Sequence, residues 1–163
     1  MTSSFLKEGD IAPDFCLPDS RSEKICLKDF KSGWVVLYFY PKDGTAGCKQ
    51  EAVDFSAAKE EFEENGAVVL GVSKDTVVSH QKFIEKNGLT VTLLADTDLT
   101  VVKAFDVWKL KKFMGKESMG TVRTTFLIGA GGEIEKVWNN VRVKGHVDEV
   151  LRELKERKGK GKE

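Results

Sequence analysis

Continuous apolar runs mark the buried strands of this chain. Three runs, at residues 34–40, 67–72 and 124–128, are rich in β-branched and aromatic residues. Such runs are typical of strands covered on both faces. A weaker run at 90–94 predicts a fourth strand, and residues 133–138 alternate polar and apolar positions after a double-glycine turn. That alternation predicts a half-exposed strand, which forms a hairpin with 124–128.

The segments between these runs have apolar residues at steps of three and four, the spacing of amphipathic helices. The spacing predicts helices over 48–64, from an Asp75 N-cap to residue 87, after 96–98, and over 146–157. Strands that alternate with helices and finish in a hairpin favour an α/β fold. In that fold a mixed central sheet has helices on both faces.

The two ends of the chain and one internal segment depart from this alternation. Residues 12–17 and 23–27 flank a polar turn and predict an added N-terminal β-hairpin, which would place Cys16 opposite Cys26 if it centres on Arg21. The polar segment 109–120 predicts a loop. Residues 3–157 are predicted to form one domain, and the Lys- and Gly-rich residues 158–163 a disordered tail.

Composition excludes several classes of function. The chain has 163 residues, and its 26 basic residues balance 26 acidic ones, so nothing favours binding of nucleic acid or an anionic membrane. It has no apolar run of about 18 residues, and its start lacks the pattern of a secretory signal. We therefore expect a cytoplasmic protein. Its three cysteines then indicate redox or catalytic use.

Cys48 lies where a buried strand ends and a helix begins, within the Gly-rich segment 41–51. Free backbone N–H groups and the helix dipole favour a thiolate in the first turn of a helix. Thr45 is three residues away, Arg123 can add positive charge, and Pro41 limits the backbone. A structural cysteine would suit a less polar junction, so the surroundings favour a reactive one.

The segment YFYPKDGTAGCKQEAVDF at 38–55 resembles the peroxiredoxin signature P-x-x-x-T-x-x-C, in the form of the bacterioferritin comigratory protein (Prx Q) branch. GDIAPDF at 9–15 and VRTTFLI at 122–128 extend the resemblance over nearly the whole chain. It implies a thioredoxin-like fold and a thiol-dependent peroxidase that reduces hydrogen peroxide and organic hydroperoxides. Ala46 departs from the branch, which often has proline there.

The resemblance also implies a role for each site residue. Cys48 is the peroxidatic cysteine and becomes a sulfenic acid. Thr45 and Arg123 orient the peroxide, Pro41 shields the thiolate, and Glu51 holds the arginine. The resemblance implies no metal, haem or flavin cofactor. It further implies a thioredoxin-like or other thiol reductant and a monomer or weak homodimer.

Many members of the branch carry a resolving cysteine where this chain has Val53, and a second family location falls at 83–84, which holds no cysteine. Cys16 and Cys26 stand between apolar neighbours, so both are predicted to face away from the buried side of the hairpin. Three hypotheses stay open. In the first, which we favour, an external thiol reduces the Cys48 sulfenic acid. In the second, Cys16 or Cys26 of the same chain or of a second subunit resolves it. In the third, Cys16 and Cys26 pair with each other and relay reduction.

Two other functions fit part of the pattern. A thioredoxin-type disulfide oxidoreductase needs a C-x-x-C pair, but Thr45 and Glu51 occupy the positions three residues from Cys48. A non-catalytic redox sensor or holdase, switched by Cys48 oxidation, remains the alternative. His80 and His146 have no second ligand at metal-binding spacing, and we expect both at the surface.

Overall fold

The structure is a computed structural model that describes residues 6–30 and 32–161. The elements, in chain order, are β1 (Cys16–Pro18), β2 (Lys24–Cys26), a 3₁₀ helix (Leu27–Phe30), β3 (Trp34–Phe39), α1 (Ala46–Glu64), β4 (Ala67–Ser73), α2 (Val77–Asn87), β5 (Thr92–Ala95), α3 (Thr100–Ala104), β6 (Trp108–Phe113), β7 (Lys116–Thr121), β8 (Thr124–Ile128), β9 (Ile134–Trp138) and α4 (His146–Gly161).

Five strands form the central sheet, in the order β5-β4-β3-β8-β9. The strands β3, β4 and β5 are parallel, β8 pairs antiparallel with β3, and β9 pairs antiparallel with β8. The three apolar runs supply the three inner strands, because only strands covered on both faces need side chains that are apolar on both faces. The predicted α/β fold with a mixed sheet and an N-terminal hairpin is confirmed.

Side chains of β3 alternate between two apolar clusters, one on each face of the sheet. Val36 and Tyr38 point into a cluster with α1, α2 and α4, and we refer to this side as the α1 face. Val35, Leu37 and Phe39 point into a second cluster. This second cluster contains α3 and the N-terminal hairpin, and we refer to that side as the hairpin face.

Tyr38 occupies its place because the facing residue is glycine. Tyr38 pairs with Gly71 across β3 and β4, and a Cβ at Gly71 would lie 2.6 Å from the Tyr38 ring. The ring stacks on Phe55 of α1, with their centroids 4.5 Å apart. Any larger residue at Gly71 would displace the tyrosine from its stack on Phe55.

The predicted loop at 109–120 is wrong, because β6 and β7 form an antiparallel hairpin there. Met114 and Gly115 both have positive φ, at 52° and 80°, as a tight two-residue turn requires. Neither strand has a continuous apolar run, and Leu110 and Met119 are exposed. The pattern therefore resembled a loop, since an exposed two-stranded ribbon needs little apolar burial.

Two helix ends also differ from the prediction. The N-cap of α2 is Thr76 rather than Asp75, because the Thr76 hydroxyl accepts the Ser79 N–H at 3.1 Å. Helix α4 continues through residues 158–161 of the predicted tail, and residues 162–163 lie outside the described residues. Among residues 6–30 and 32–161, no helix has the length and apolar character needed to cross a bilayer.

Candidate active site

Helix α1 begins directly after a short loop that leaves the end of β3. Thr45 is its N-cap residue, with extended backbone angles. Its hydroxyl donates to the Lys42 carbonyl at 3.2 Å, and within the described residues its side chain makes no capping hydrogen bond. The first-turn N–H groups are therefore left to an anion or a ligand. Cys48 lies in this first turn.

Arg123 connects Cys48 to Glu51. One guanidinium nitrogen, Nη2, donates to Cys48 Sγ at 3.3 Å, and Nη1 donates to Glu51 Oε1 at 2.6 Å. Arg123 belongs to the short link between β7 and β8, so the sheet brings it to α1 from 75 residues away. A Cβ at Gly47 would lie 3.2 Å from Nη2, so the glycine leaves room for the guanidinium.

The three groups are largely withdrawn from water. Cys48 is 1% exposed, the Glu51 side chain is fully buried and the Arg123 side chain is 16% exposed. Burial raises the pKa of Glu51 to about 7, although the Arg123 charge and hydrogen bond oppose the shift. Arginine stays protonated at any pH of interest, so it can hold an anionic sulfur. The site is a buried cation that faces a nucleophilic atom.

We expect Glu51 to set a pH dependence of this site. Below about pH 7 a proton neutralises the Glu51 carboxylate, and its bond to Arg123 loses one of its charges. Peroxide reduction should therefore slow as the pH drops below about 7. In Glu51→Gln this decrease at acidic pH should disappear, and the rate at pH 8 should be about tenfold lower. The measurement is kcat/KM for hydrogen peroxide between about pH 5.5 and 9.

Glu60→Gln is the matched control, since Glu60 is exposed on the same helix. It should leave the profile unchanged. If the rate of Glu51→Gln still falls near pH 7, the pH dependence belongs to a group other than Glu51.

Asp43 ties the loop before Cys48 to the rest of the sheet. Its Oδ1 accepts the Tyr40 hydroxyl at 2.6 Å, and its Oδ2 accepts the Ser79 hydroxyl at 2.8 Å. The His80 Nδ1 lies 2.7 Å from the same Oδ2, and His80 Nε2 donates to the Leu94 carbonyl at 3.0 Å. The loop is thus joined to α2 and, through His80, to the end of β5.

These contacts also control the charge of Asp43. Burial raises the pKa of this carboxyl, but the bonds from His80, Tyr40 and Ser79 outweigh burial, and the net pKa is lowered. The backbone N–H of Asp43 donates to Asp75 Oδ2 at 2.8 Å, which adds a second attachment to the same region. The loop is therefore held by charged and buried groups.

Asp43→Asn should destabilise the protein by about 2–4 kcal/mol, because a buried charged acceptor is lost while its donors stay in place. Urea unfolding at neutral pH measures the change. The exposed Asp98→Asn is the matched control and should fall within about 0.5 kcal/mol of the unchanged protein. Equal stabilities of the two variants would show that the network does not hold the loop.

The sequence did not identify this network. His80 was expected at the surface, but it is fully buried, and the expectation is wrong. His80 precedes the buried Phe83 by three residues, so its position on the inner side of α2 was available from the spacing. His146 is also buried, at 4% exposure, and its Nε2 lies 2.9 Å from the Thr125 hydroxyl. Both rings have partners, which accounts for their burial.

The hairpin cysteines form a disulfide. Cys16 and Cys26 are direct partners across β1 and β2, with their Cα atoms 4.0 Å apart, as a hairpin centred on Arg21 requires. The sequence left this pairing open among three hypotheses, and the structure shows that the two cysteines pair with each other. Cys16 is exposed as predicted, but Cys26 is 4% exposed. The 3₁₀ helix turns back beside Cys26, where Asp29 Oδ2 accepts its backbone N–H at 3.1 Å.

The hairpin and Cys48 belong to different apolar clusters. Cys48 packs into the α1 face, whereas Phe15, Leu17 and Leu27 anchor the hairpin in the hairpin face. Val53, at the position of the family's resolving cysteine, is half-buried on the α1 face. This placement argues against resolution of Cys48 by Cys16 or Cys26 of the same molecule.

Pro41 and Thr45 flank the loop at the two positions that the signature predicts. Pro41 is half-buried after the end of β3, and Thr45 is exposed. The structure brings Arg123 and Glu51 to Cys48. The roles of Pro41 and Thr45 toward peroxide stay predictions.

Comparisons with known proteins agree with this geometry. The profile of the AhpC/TSA family matches residues 9–137. Peroxiredoxin Bcp of Bacillus subtilis is 49% identical over 91% of this chain and 94% of its own length. Peroxiredoxin Bcp of Escherichia coli K12 is 44% identical over 93% of this chain and 97% of its own. A crystal structure of a Xylella fastidiosa PrxQ mutant superposes with a TM-score of 0.90 at 41% identity, over 95% of this chain and 99% of that one.

Proposed function

The chain belongs to the AhpC/TSA family and, within it, to the Bcp (Prx Q) peroxiredoxins, and from that membership we propose that Cys48 carries its peroxidase reaction. Family membership makes the protein a thiol-dependent peroxidase, an oxidoreductase that acts on a peroxide. The observation that supports Cys48 is its contact with Arg123, whose Nη2 lies 3.3 Å from the sulfur. A buried thiol that faces a guanidinium is a site suited to a thiolate.

In the proposed reaction the Cys48 thiolate attacks the terminal oxygen of the peroxide. An S–O bond forms and the O–O bond breaks. The leaving alkoxide or hydroxide takes up a proton, and Cys48 becomes a sulfenic acid. Negative charge moves from the sulfur to the leaving oxygen, so Arg123 stabilises it at both ends of the step.

Three residues besides Arg123 support the nucleophile in this proposal. Glu51 holds the guanidinium through the 2.6 Å bond to Nη1. Thr45 and the uncapped N–H groups at the start of α1 bind the peroxide oxygens, and Pro41 covers the sulfur from the loop side. Since Cys48 is only 1% exposed, access to the sulfur suits the small hydroperoxide group.

The sulfenic acid is then reduced by an external thiol, for which we propose a thioredoxin-like protein. Val53 leaves no thiol at the family's resolving position on α1, and Cys16 and Cys26 are already bonded to each other. We further propose that the protein works in the cytoplasm as a monomer or weak homodimer. Gel filtration at two concentrations tests the oligomeric part.

A trapping experiment tests the role of Cys48. Reduced protein is mixed with one equivalent of hydrogen peroxide and then with dimedone, which adds to sulfenic acids. We expect the adduct on the peptide that contains Cys48. If Cys48 is instead found in a disulfide with Cys16 or Cys26, then a resolving cysteine and not an external thiol reacts with the sulfenic acid.

A turnover assay separates a peroxidase from a sensor. With excess thioredoxin and its reductase, a peroxidase consumes many equivalents of peroxide per chain. A sensor switched by Cys48 oxidation stops after the first equivalents. The comparisons support the peroxidase, and we expect sustained turnover.

A further inference from the structure

The Cys16–Cys26 disulfide lies outside the peroxide site, and the peroxidase reaction as proposed does not use it. It joins two residues ten apart in the sequence, within a hairpin on the hairpin face. Cys48 lies on the α1 face, across the five-stranded sheet. The hairpin and Cys48 therefore pack in different apolar clusters of the molecule.

The hairpin keeps its shape through other contacts. Phe15, Leu17 and Leu27 are buried in the hairpin face, and the Phe15 ring meets Phe105 edge-on at 5.9 Å. Asp14 Oδ1 accepts the Lys28 N–H at 3.2 Å, close to the disulfide.

The turn of the hairpin is held independently. Asp19 Oδ1 accepts the N–H groups of Arg21 and Glu23 at 2.8 and 3.0 Å. The Gln81 side chain of α2 donates to the Ser20 carbonyl at 2.7 Å. Because these contacts do not involve sulfur, reduction leaves the two thiols facing each other, ready to bond again.

The two cysteine residues differ in exposure. The Cys16 residue is exposed and lines a groove of about 500 Å³ together with Pro18, Val77 and Thr100. Cys26 is 4% exposed and lies beside the 3₁₀ helix. A nucleophile from solvent therefore reaches the sulfur of Cys16, with Cys26 as the leaving group.

We propose that Cys16–Cys26 is a second thiol–disulfide exchange site, at which an external dithiol attacks Cys16 Sγ and displaces Cys26. In the first step the thiolate of the dithiol bonds to Cys16 Sγ, the Cys16–Cys26 bond breaks, and the Cys26 sulfur takes up a proton. In the second step the other thiol of the dithiol loses its proton and attacks its own mixed disulfide, which releases Cys16. The dithiol is oxidised to a disulfide, and the hairpin gains two electrons and two protons.

Exchange is measured in Cys48→Ser protein, so that the result does not depend on the peroxidase reaction. The oxidised protein is incubated without denaturant with reduced thioredoxin, then alkylated and analysed by mass spectrometry. We expect Cys16 and Cys26 to be alkylated together, and the disulfide to return after the reductant is removed and an oxidant is added. Reduction that requires denaturant would make the disulfide a fixed cross-link and overturn the proposal.

The direction of attack has its own test. A thioredoxin variant that lacks its second cysteine traps the mixed disulfide, and peptide mapping should find it on Cys16. A trap on Cys26 would overturn the proposed polarity.

Two matched single variants check accessibility without any partner protein, both in the Cys48→Ser background. In Cys26→Ser the remaining Cys16 thiol should react with Ellman's reagent at least about tenfold faster than the Cys26 thiol in Cys16→Ser. Equal rates, with both variants folded by circular dichroism, would show that burial does not distinguish the two sulfurs.

Discussion

Cys48→Ser should lower thiol-dependent peroxide consumption by at least about 10³-fold, to the rate of the uncatalysed reaction with the reductant. Serine keeps the size of the side chain, but its hydroxyl does not ionise at neutral pH and does not form a sulfenic acid. Arg123 and Glu51 remain in place, so the loss isolates the sulfur itself. The assay follows hydrogen peroxide with dithiothreitol as the sole reductant.

The double variant Cys16→Ser/Cys26→Ser is the control for general loss of thiols. Both cysteines belong to the N-terminal hairpin, whose apolar residues pack in the hairpin face rather than with Cys48. With excess dithiothreitol the variant should keep its turnover within about twofold. Two results would contradict the role of Cys48: unchanged peroxide consumption in Cys48→Ser, or a loss of consumption in the double variant alone. The second result would assign the reaction to the hairpin cysteines.

Arg123→Met should lower kcat/KM for hydrogen peroxide by roughly 10²–10³-fold, the usual cost of removing one donor that stabilises transition-state charge. The substitution removes the donor at 3.3 Å from Cys48 Sγ and leaves the buried Glu51 without its partner. Methionine fills a similar volume, which limits the effect on packing. Arg123→Lys should recover only part of the rate, since one ammonium group does not bridge both partners as a guanidinium fork does.

Arg152→Met is the matched control, because Arg152 is an exposed arginine on α4. It should leave kcat/KM unchanged. Thermal unfolding of both variants separates a catalytic loss from a loss of folded protein. An Arg123→Met protein that is folded and fully active would remove Arg123 from the proposed mechanism.

Local pattern determined much of this protein. Continuous apolar runs predicted the inner strands, since strands buried on both faces favour apolar side chains on both faces. The polar junction after 34–40 marked Cys48 as the candidate nucleophile, and a hairpin centred on Arg21 was one way to bring Cys16 opposite Cys26. These features depend on neighbours in the sequence, where spacing alone specifies geometry. For the same reason the exposed β6–β7 ribbon, which has no apolar run, escaped prediction.

Contacts between distant segments were decided only by the tertiary structure. From residues alone Arg123 would be an ordinary surface arginine, and only the resemblance suggested its pairing with Glu51. The antiparallel pairing of β8 with β3 carries it to the first turn of α1. The Asp43–His80 contact likewise needs α2 to pack beside the loop.

Cys48 itself was recognisable from its local sequence, but its surroundings were not. Its burial, its guanidinium partner and its separation from the hairpin disulfide all arise when the sheet folds between two apolar clusters. The sequence thus determined which sulfur stands at the strand–helix junction. The fold decided which charges face that sulfur and which thiols it does not meet, because those contacts depend on the packing of segments far apart in the chain.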